Sequence, residues 1–136
     1  MSTDTDHEPP VRSGASAAVA LRDAPFRLPE RPSERQLLAK YFRAFGDPTR
    51  LHILELLAQG ELSVSEIVAR VNTSQPRTSA HLACLRWCGF VSARREHRTV
   101  YYRLADERTR AMLELARAML EDNSEHVAAC RTLGGC

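Results

Sequence analysis

What most constrains this chain is a change of hydrophobic period within one short stretch. From Ser63 to Trp87 apolar residues recur at helical spacing in two brief runs, broken at Asn72-Thr73. From Phe90 onward the pattern becomes strand-like. Phe90-Val91-Ser92-Ala93-Arg94 and Thr99-Val100-Tyr101-Tyr102-Arg103-Leu104 are joined by Arg95-Glu96-His97-Arg98. A short helix–turn–helix followed at once by a hairpin leaves few architectures open.

The flanks narrow them further. Ser33 reads as the N-cap of a helix carrying Leu37, Leu38, Tyr41, Phe42 and Phe45, which Gly46 ends. Asp47-Pro48 restarts the chain, with Asp as cap and Pro in the first turn. Leu51, Ile53, Leu54, Leu56 and Leu57 make that second helix apolar on most sides, so it belongs in the core, and Gly60 closes it. Ser63-Val64-Ser65-Glu66 is a capping box opening a short third helix through Ile67, Val68 and Val71. Ser74 caps a fourth, with Pro76 tolerated in its first turn and Gly89 as its stop. Asp106 caps a last helix to about Ser124, with Met112, Leu113, Leu115, Ala116, Met119 and Leu120 as a broad apolar face.

The order predicts a mainly α fold with a β-hairpin wing, a winged helix-turn-helix with an extra helix at each end. The first and last helices carry more apolar surface than one small core uses, so they are expected to form a dimer interface. Residues 33–124 are then read as one winged helix-turn-helix domain that includes its dimerisation helices. Residues 1–32 hold five of the seven prolines and no regular period, and read as a mobile arm. Residues 125–136 read as a flexible tail with two cysteines.

At 136 residues the chain fits one domain of ordinary size, too small for a barrel enzyme or a kinase core. Its 43% hydrophobic and 26% charged residues suit a globular protein. No apolar run reaches the ~18–20 residues of a membrane span, and Met1-Ser-Thr-Asp4 onward lacks the pattern of a secretory signal. A cytoplasmic location, with no membrane partner, is the expectation. No Cys-x-x-Cys motif, phosphate-binding glycine loop or nucleophile elbow is present, so an enzyme is not expected.

In a helix-turn-helix the second helix enters the major groove and its N-terminal residues meet base edges. Those positions are Ser74, Gln75, Arg77, Thr78, Ser79 and His81, and the hairpin tip adds Arg94, Arg95, His97 and Arg98. Leu82 and Leu85 fall on the opposite side and should anchor the helix. Residues 73–103 contain six arginines against one acid, Glu96, in a chain whose net charge is +2. The charge is concentrated where this fold would touch phosphate, which points to double-stranded operator DNA as the partner.

Phe45-Gly-Asp-Pro-Thr-Arg-Leu-His-Ile-Leu54, Ser74-Gln-Pro-Arg-Thr-Ser-Ala-His-Leu82 and Val100-Tyr-Tyr-Arg-Leu104 together resemble the ArsR/SmtB family of bacterial metal-sensing repressors. The resemblance spans roughly residues 34–124 and implies a homodimeric repressor that leaves its operator when metal binds. One family metal site needs a Cys-x-Cys where this chain has Ser63-Val64-Ser65, and hydroxyls do not replace thiolates for a soft ion. Another needs histidines where Arg108 and Met119 stand, which leaves Asp106 as a helix cap.

Cys84 and Cys88 remain, four apart and hence on one helical face with Cβ atoms ~5–6 Å apart. A Cys pair on the recognition helix resembles the cadmium- and lead-sensing branch of the family. The resemblance implies Cys130 as a third ligand from the tail, with Cys136 as a weaker fourth. Such a thiolate set favours Cd(II) or Pb(II), with As(III), Hg(II) or Zn(II) as alternatives. A thiol redox switch in the same DNA-binding role is the competing reading. Trp87, between the two cysteines, reads as packing.

Overall fold

The computed structural model describes residues 31–131. The arm expected over residues 1–32 lies almost wholly outside that range, as does Cys136. The elements are α1 (Glu34–Phe45), α2 (Pro48–Leu57), β1 (Leu62–Ser63), α3 (Val64–Val71), α4 (Gln75–Trp87), β2 (Val91–Glu96), β3 (Thr99–Leu104), α5 (Glu107–Glu121) and α6 (Ser124–Ala129). No described helix is long and apolar enough to cross a membrane.

The caps sit where short polar residues precede the apolar periods. Ser33 and Ser63 each close a reciprocal capping box, with Gln36 and Glu66 respectively. Asp47, Ser74 and Asp106 accept backbone N–H bonds from Arg50, Arg77 and Arg108. Between α3 and α4 the chain turns at Asn72, left-handed at φ 52°. Asparagine tolerates that conformation better than most side chains. The helix–turn–helix is thus α3, this turn and α4.

The end of α4 is fixed by a Schellman motif. Gly89 (φ 85°) supplies the left-handed residue, its N–H bonds Arg86 O at 3.0 Å, and Phe90 N–H bonds Leu85 O at 2.9 Å. Leu85 and Phe90, which such a motif brings together, are both fully buried. Phe90 also packs on Tyr41 and Phe45 of α1, with ring centroids 4.4 and 4.5 Å away. The core runs from Ile53, Leu54 and Leu57 of α2 through Ile67 and Leu82 to Val91 and Leu113.

Three features depart from the sequence reading. The wing is a three-stranded antiparallel sheet, β1-β3-β2, rather than a bare hairpin. Leu62 and Ser63 pair with Tyr102 and Tyr101, so the capping-box serine also serves as a sheet residue. Strand β2 extends to Glu96, opposite Thr99, which shortens the loop to His97-Arg98. His97 takes φ 59° there, as two-residue hairpins require of at least one central residue. Finally, α5 ends at Glu121 and the segment read as a loose tail contains a further helix, α6, all of whose residues are exposed.

Several helices present apolar side chains outward. Leu37, Leu38 and Phe42 of α1, and Leu115, Met119 and Leu120 of α5, are each about half exposed or more, as is Val127 of α6.

Candidate nucleic-acid interface and thiol pair

Helix α4 is held by Leu82 and Leu85, both fully buried, so its opposite side is left to solvent. Ser74, Gln75, Arg77 and Ser79 are exposed on it, at the positive end of the helix dipole. Arg95, His97 and Arg98 are exposed at the tip of the wing. These are exposed polar and cationic side chains of the types that meet phosphates and base edges.

Three residues expected with them are otherwise engaged. Thr78 is fully buried and its hydroxyl donates to Ser74 O at 2.9 Å, so it supports the first turn of α4 from beneath. The helical period carries it onto the same face as Leu82 and Leu85. His81 is half-buried and turned toward α2, with Nδ1 3.4 Å from Arg50 Nη1 and Nε2 3.9 Å from Asp47. Arg94 is exposed but bound to Glu61, a residue that precedes the arginine-rich 73–103 stretch by a dozen positions.

Arg50 joins these parts. Its Nε donates to Ala44 O at 2.8 Å and its Nη2 to Arg43 O at 3.1 Å, satisfying carbonyls at the end of α1. The same guanidinium faces His81 on α4. Neither its role nor that of Glu61 was legible from charge alone. The Asp-Pro-Thr-Arg run at the start of α2 was the available signal for Arg50.

Cys84 and Cys88 lie at the other end of α4, both half-buried against the core and both free thiols. Cys88 is the C-cap residue, and its N–H bonds Cys84 O at 3.0 Å. Burial pushes the Cys88 thiol up. The adjacent Cys84, in hydrogen-bond contact, pushes it the same way, against a smaller opposing pull from Lys40 and Arg50. Trp87, expected to pack, is instead 63% exposed, because the period that brings both cysteines to the core turns position 87 outward.

Cys130 is half-buried as the C-cap of α6. It does not join the α4 pair within the protomer: among the described residues no group of three His, Cys, Asp or Glu side chains could hold an ion. The two α4 thiols therefore stand as a pair, with no third such donor grouped beside them among the described residues. At the start of α5, Arg108 lies across the Asp106 carboxylate with contacts of 2.6–3.1 Å. Ser63 and Ser65 face each other as hydroxyls 3.3 Å apart. Neither place offers a soft ligand.

Comparisons with known proteins agree with this architecture. Residues 47–93 match the family described as bacterial regulatory protein, arsR family. The probable mercury resistance operon repressor of Streptomyces lividans is 41% identical over 97 residues, covering 71% of this chain and 78% of that one. The HTH-type transcriptional regulator CmtR of Mycobacterium tuberculosis is 39% identical over 100 residues, covering 72% and 85%. Among solved structures, the homodimeric winged helix-turn-helix DNA-binding domain Mb0332 of Mycobacterium bovis aligns with TM-score 0.61 at 33% identity, covering 71% and 94%. These relatives are named as a repressor, a transcriptional regulator and a DNA-binding domain. With its helix–turn–helix, three-stranded wing and this level of identity over most of its length, the chain belongs to the arsR family of bacterial regulatory proteins.

Proposed function

We propose that this protein is a homodimeric transcriptional repressor that binds operator DNA through α4 and the wing. A soft metal ion held by cysteine thiolates releases it. Cys84, Cys88 and Cys130 are the proposed ligands and Cd(II) or Pb(II) the favoured ions, with Cys136 a further candidate donor outside the described residues. The observation that carries this reading is the thiol pair seated on the recognition helix itself. Thiolates select soft ions over magnesium or manganese. The exposed apolar side chains of α1 and α5 support the dimer, since association is what covers apolar side chains left outside the core.

Because α4 is one rigid element, an ion that ties its C-terminal end to the tail would act directly on the orientation of its DNA-facing end. The coupling is reciprocal: DNA weakens metal binding by the factor by which metal weakens DNA binding, typically about 5- to 150-fold.

A mercury(II) reading has its own support. The Streptomyces lividans relative is named for mercury resistance, and Hg(II) is satisfied by two thiolates, the number gathered here. A thiol redox switch in the same DNA-binding role is the competing reading, and the same paired thiols would carry it.

The test is anaerobic titration of the reduced protein with Cd(II), Pb(II), Hg(II) and As(III), following sulfur-to-metal ultraviolet absorbance and release from DNA together. Cys84→Ser and Cys88→Ser should each abolish metal-driven release and leave metal-free DNA affinity within about twofold, the range of a surface-like change. Cys130→Ser should weaken Cd(II) and Pb(II) responses more than that to Hg(II). Metal-driven release that survives loss of either α4 cysteine would sink the site.

A further inference from the structure

One face of the wing carries an ion-pair clamp that spans the whole sheet. Ser63 of β1, Tyr101 of β3 and Arg94 of β2 lie directly across from one another. Residues in such a row share a face, and so do residues two apart along a strand. Glu61, two residues before Ser63, and Glu96, two after Arg94, therefore come to the same side. Arg94 Nε and Nη2 donate to the two carboxylate oxygens of Glu61 at 2.9 and 2.7 Å. Its Nη1 donates to Glu96 at 3.2 Å, and its guanidinium carbon stands 4.6 Å from the centre of the Tyr101 ring. All three guanidinium nitrogens and one face of the plane are engaged.

We propose that Arg94 is a positioning residue rather than a phosphate contact: clamped by Glu61 across three strands, it sets the angle at which the wing leaves the helix–turn–helix. The proposal rests on the DNA-binding reading above and refines which wing residues do the binding. A bidentate, charge-assisted pair is the strong form of this contact. For Arg94 to reach a phosphate, it would have to leave both carboxylates and the tyrosine ring. Glu61 would then lose its bidentate partner and keep only the weaker charge of Arg103 against the like charge of the DNA backbone. Arg77 and Arg98 are different: both are exposed, and neither forms an ion pair among the described residues. They are the side chains available to phosphate.

The experiment compares Arg94→Gln, Glu61→Gln, Arg77→Gln and Arg98→Gln in the full chain. The probe is a labelled duplex selected by the wild-type protein from a random-sequence pool, with affinity measured across a potassium chloride series. Arg77→Gln and Arg98→Gln should each flatten the slope of log affinity against log salt by about 0.9 for each phosphate no longer neutralised. Arg94→Gln and Glu61→Gln should lower affinity about three- to tenfold at every salt concentration, as expected when the bound arrangement is no longer held ready in the free protein. They should keep the wild-type slope and speed amide exchange at residues 95–100 in the protein without DNA. The proposal falls if Arg94→Gln flattens the slope as much as Arg98→Gln does. It also falls if Glu61→Gln tightens binding and steepens the slope, the result of freeing Arg94 for phosphate. If Arg77→Gln and Arg98→Gln both leave the slope unchanged, the DNA-binding surface itself is wrong, and the refinement goes with it.

Discussion

The two ends of α4 differ in almost every physical respect. At the N-terminal end, Ser74, Gln75, Arg77 and Ser79 are exposed, and one cap plus the buried Thr78 hydroxyl hold the turn. At the C-terminal end, the Schellman turn and the Phe90 cluster lock the backbone, and two thiols lie half-buried. The first end presents exposed polar and cationic side chains, and the second presents a pair of thiols. Leu82 and Leu85, between them, are what both ends depend on. The lesson is that no relay is required between the proposed sites: they share one helix, and displacement of one end is displacement of the other.

The comparison breaks most severely at its shared middle. Leu85→Ala leaves a hole under both ends and should destabilise the fold by ~2–5 kcal/mol, read as a fall in the urea midpoint with an unchanged slope. A smaller, one-sided effect is expected from Ser74→Ala. Removing the cap costs about 1 kcal/mol. Amide exchange should rise at Arg77 and Thr78, while binding of Cd(II) at the thiol end keeps its wild-type affinity. Fraying that reaches Cys84 would show that the two ends are less separate than their packing implies.

The smallest effect concerns the brace behind the helix. The Asp47 carboxyl is held below its ordinary value, first by the Arg50 N–H it caps and then by His81 and Arg50 charges, against some desolvation. A depressed carboxylate contributes stability that is complete above its unfolded value and disappears as pH falls through its folded one. Asparagine caps about as well without titrating. Asp47→Asn should therefore lower stability by ~0.5 kcal/mol near pH 7, the scale of a charge at a helix end. At a pH low enough to protonate the carboxyl in both the folded and the unfolded chain, the two proteins should unfold alike. A difference that grows as pH falls would reverse the sign assigned to this group.

Much of the architecture was legible because it is punctuated locally. Ser33, Asp47, Ser63, Ser74 and Asp106 all cap the helices their positions announce, and Leu82 and Leu85 anchor α4 as their period demands. What escaped depends on contacts distant in sequence. Strand β1 is two residues long and hidden inside a capping box, so nothing local marks its pairing with Tyr101 and Tyr102. Glu61 reaches Arg94 only because that strand exists. Thr78 reads as a DNA contact by residue type, yet the helical period places it inside. Trp87 reads as core by residue type, and the same period places it outside. For the thiols, spacing identified the α4 pair. The position of Cys130 at the end of a sixth helix has no counterpart in that spacing.

The strand order β1-β3-β2 also bears on solubility. Thr99-Val100-Tyr101-Tyr102, the segment with the strongest strand preference, lies in the central strand, paired along its length with β2 and, at Tyr101 and Tyr102, with β1 as well. One edge of the sheet is only two residues long and passes directly into a helix, so it offers little length for another chain to add to. The other edge ends in Arg94, Arg95 and Glu96, charges that a second strand would have to desolvate. The short edge strand and the charged one both work against pairing of this wing with the wings of other molecules.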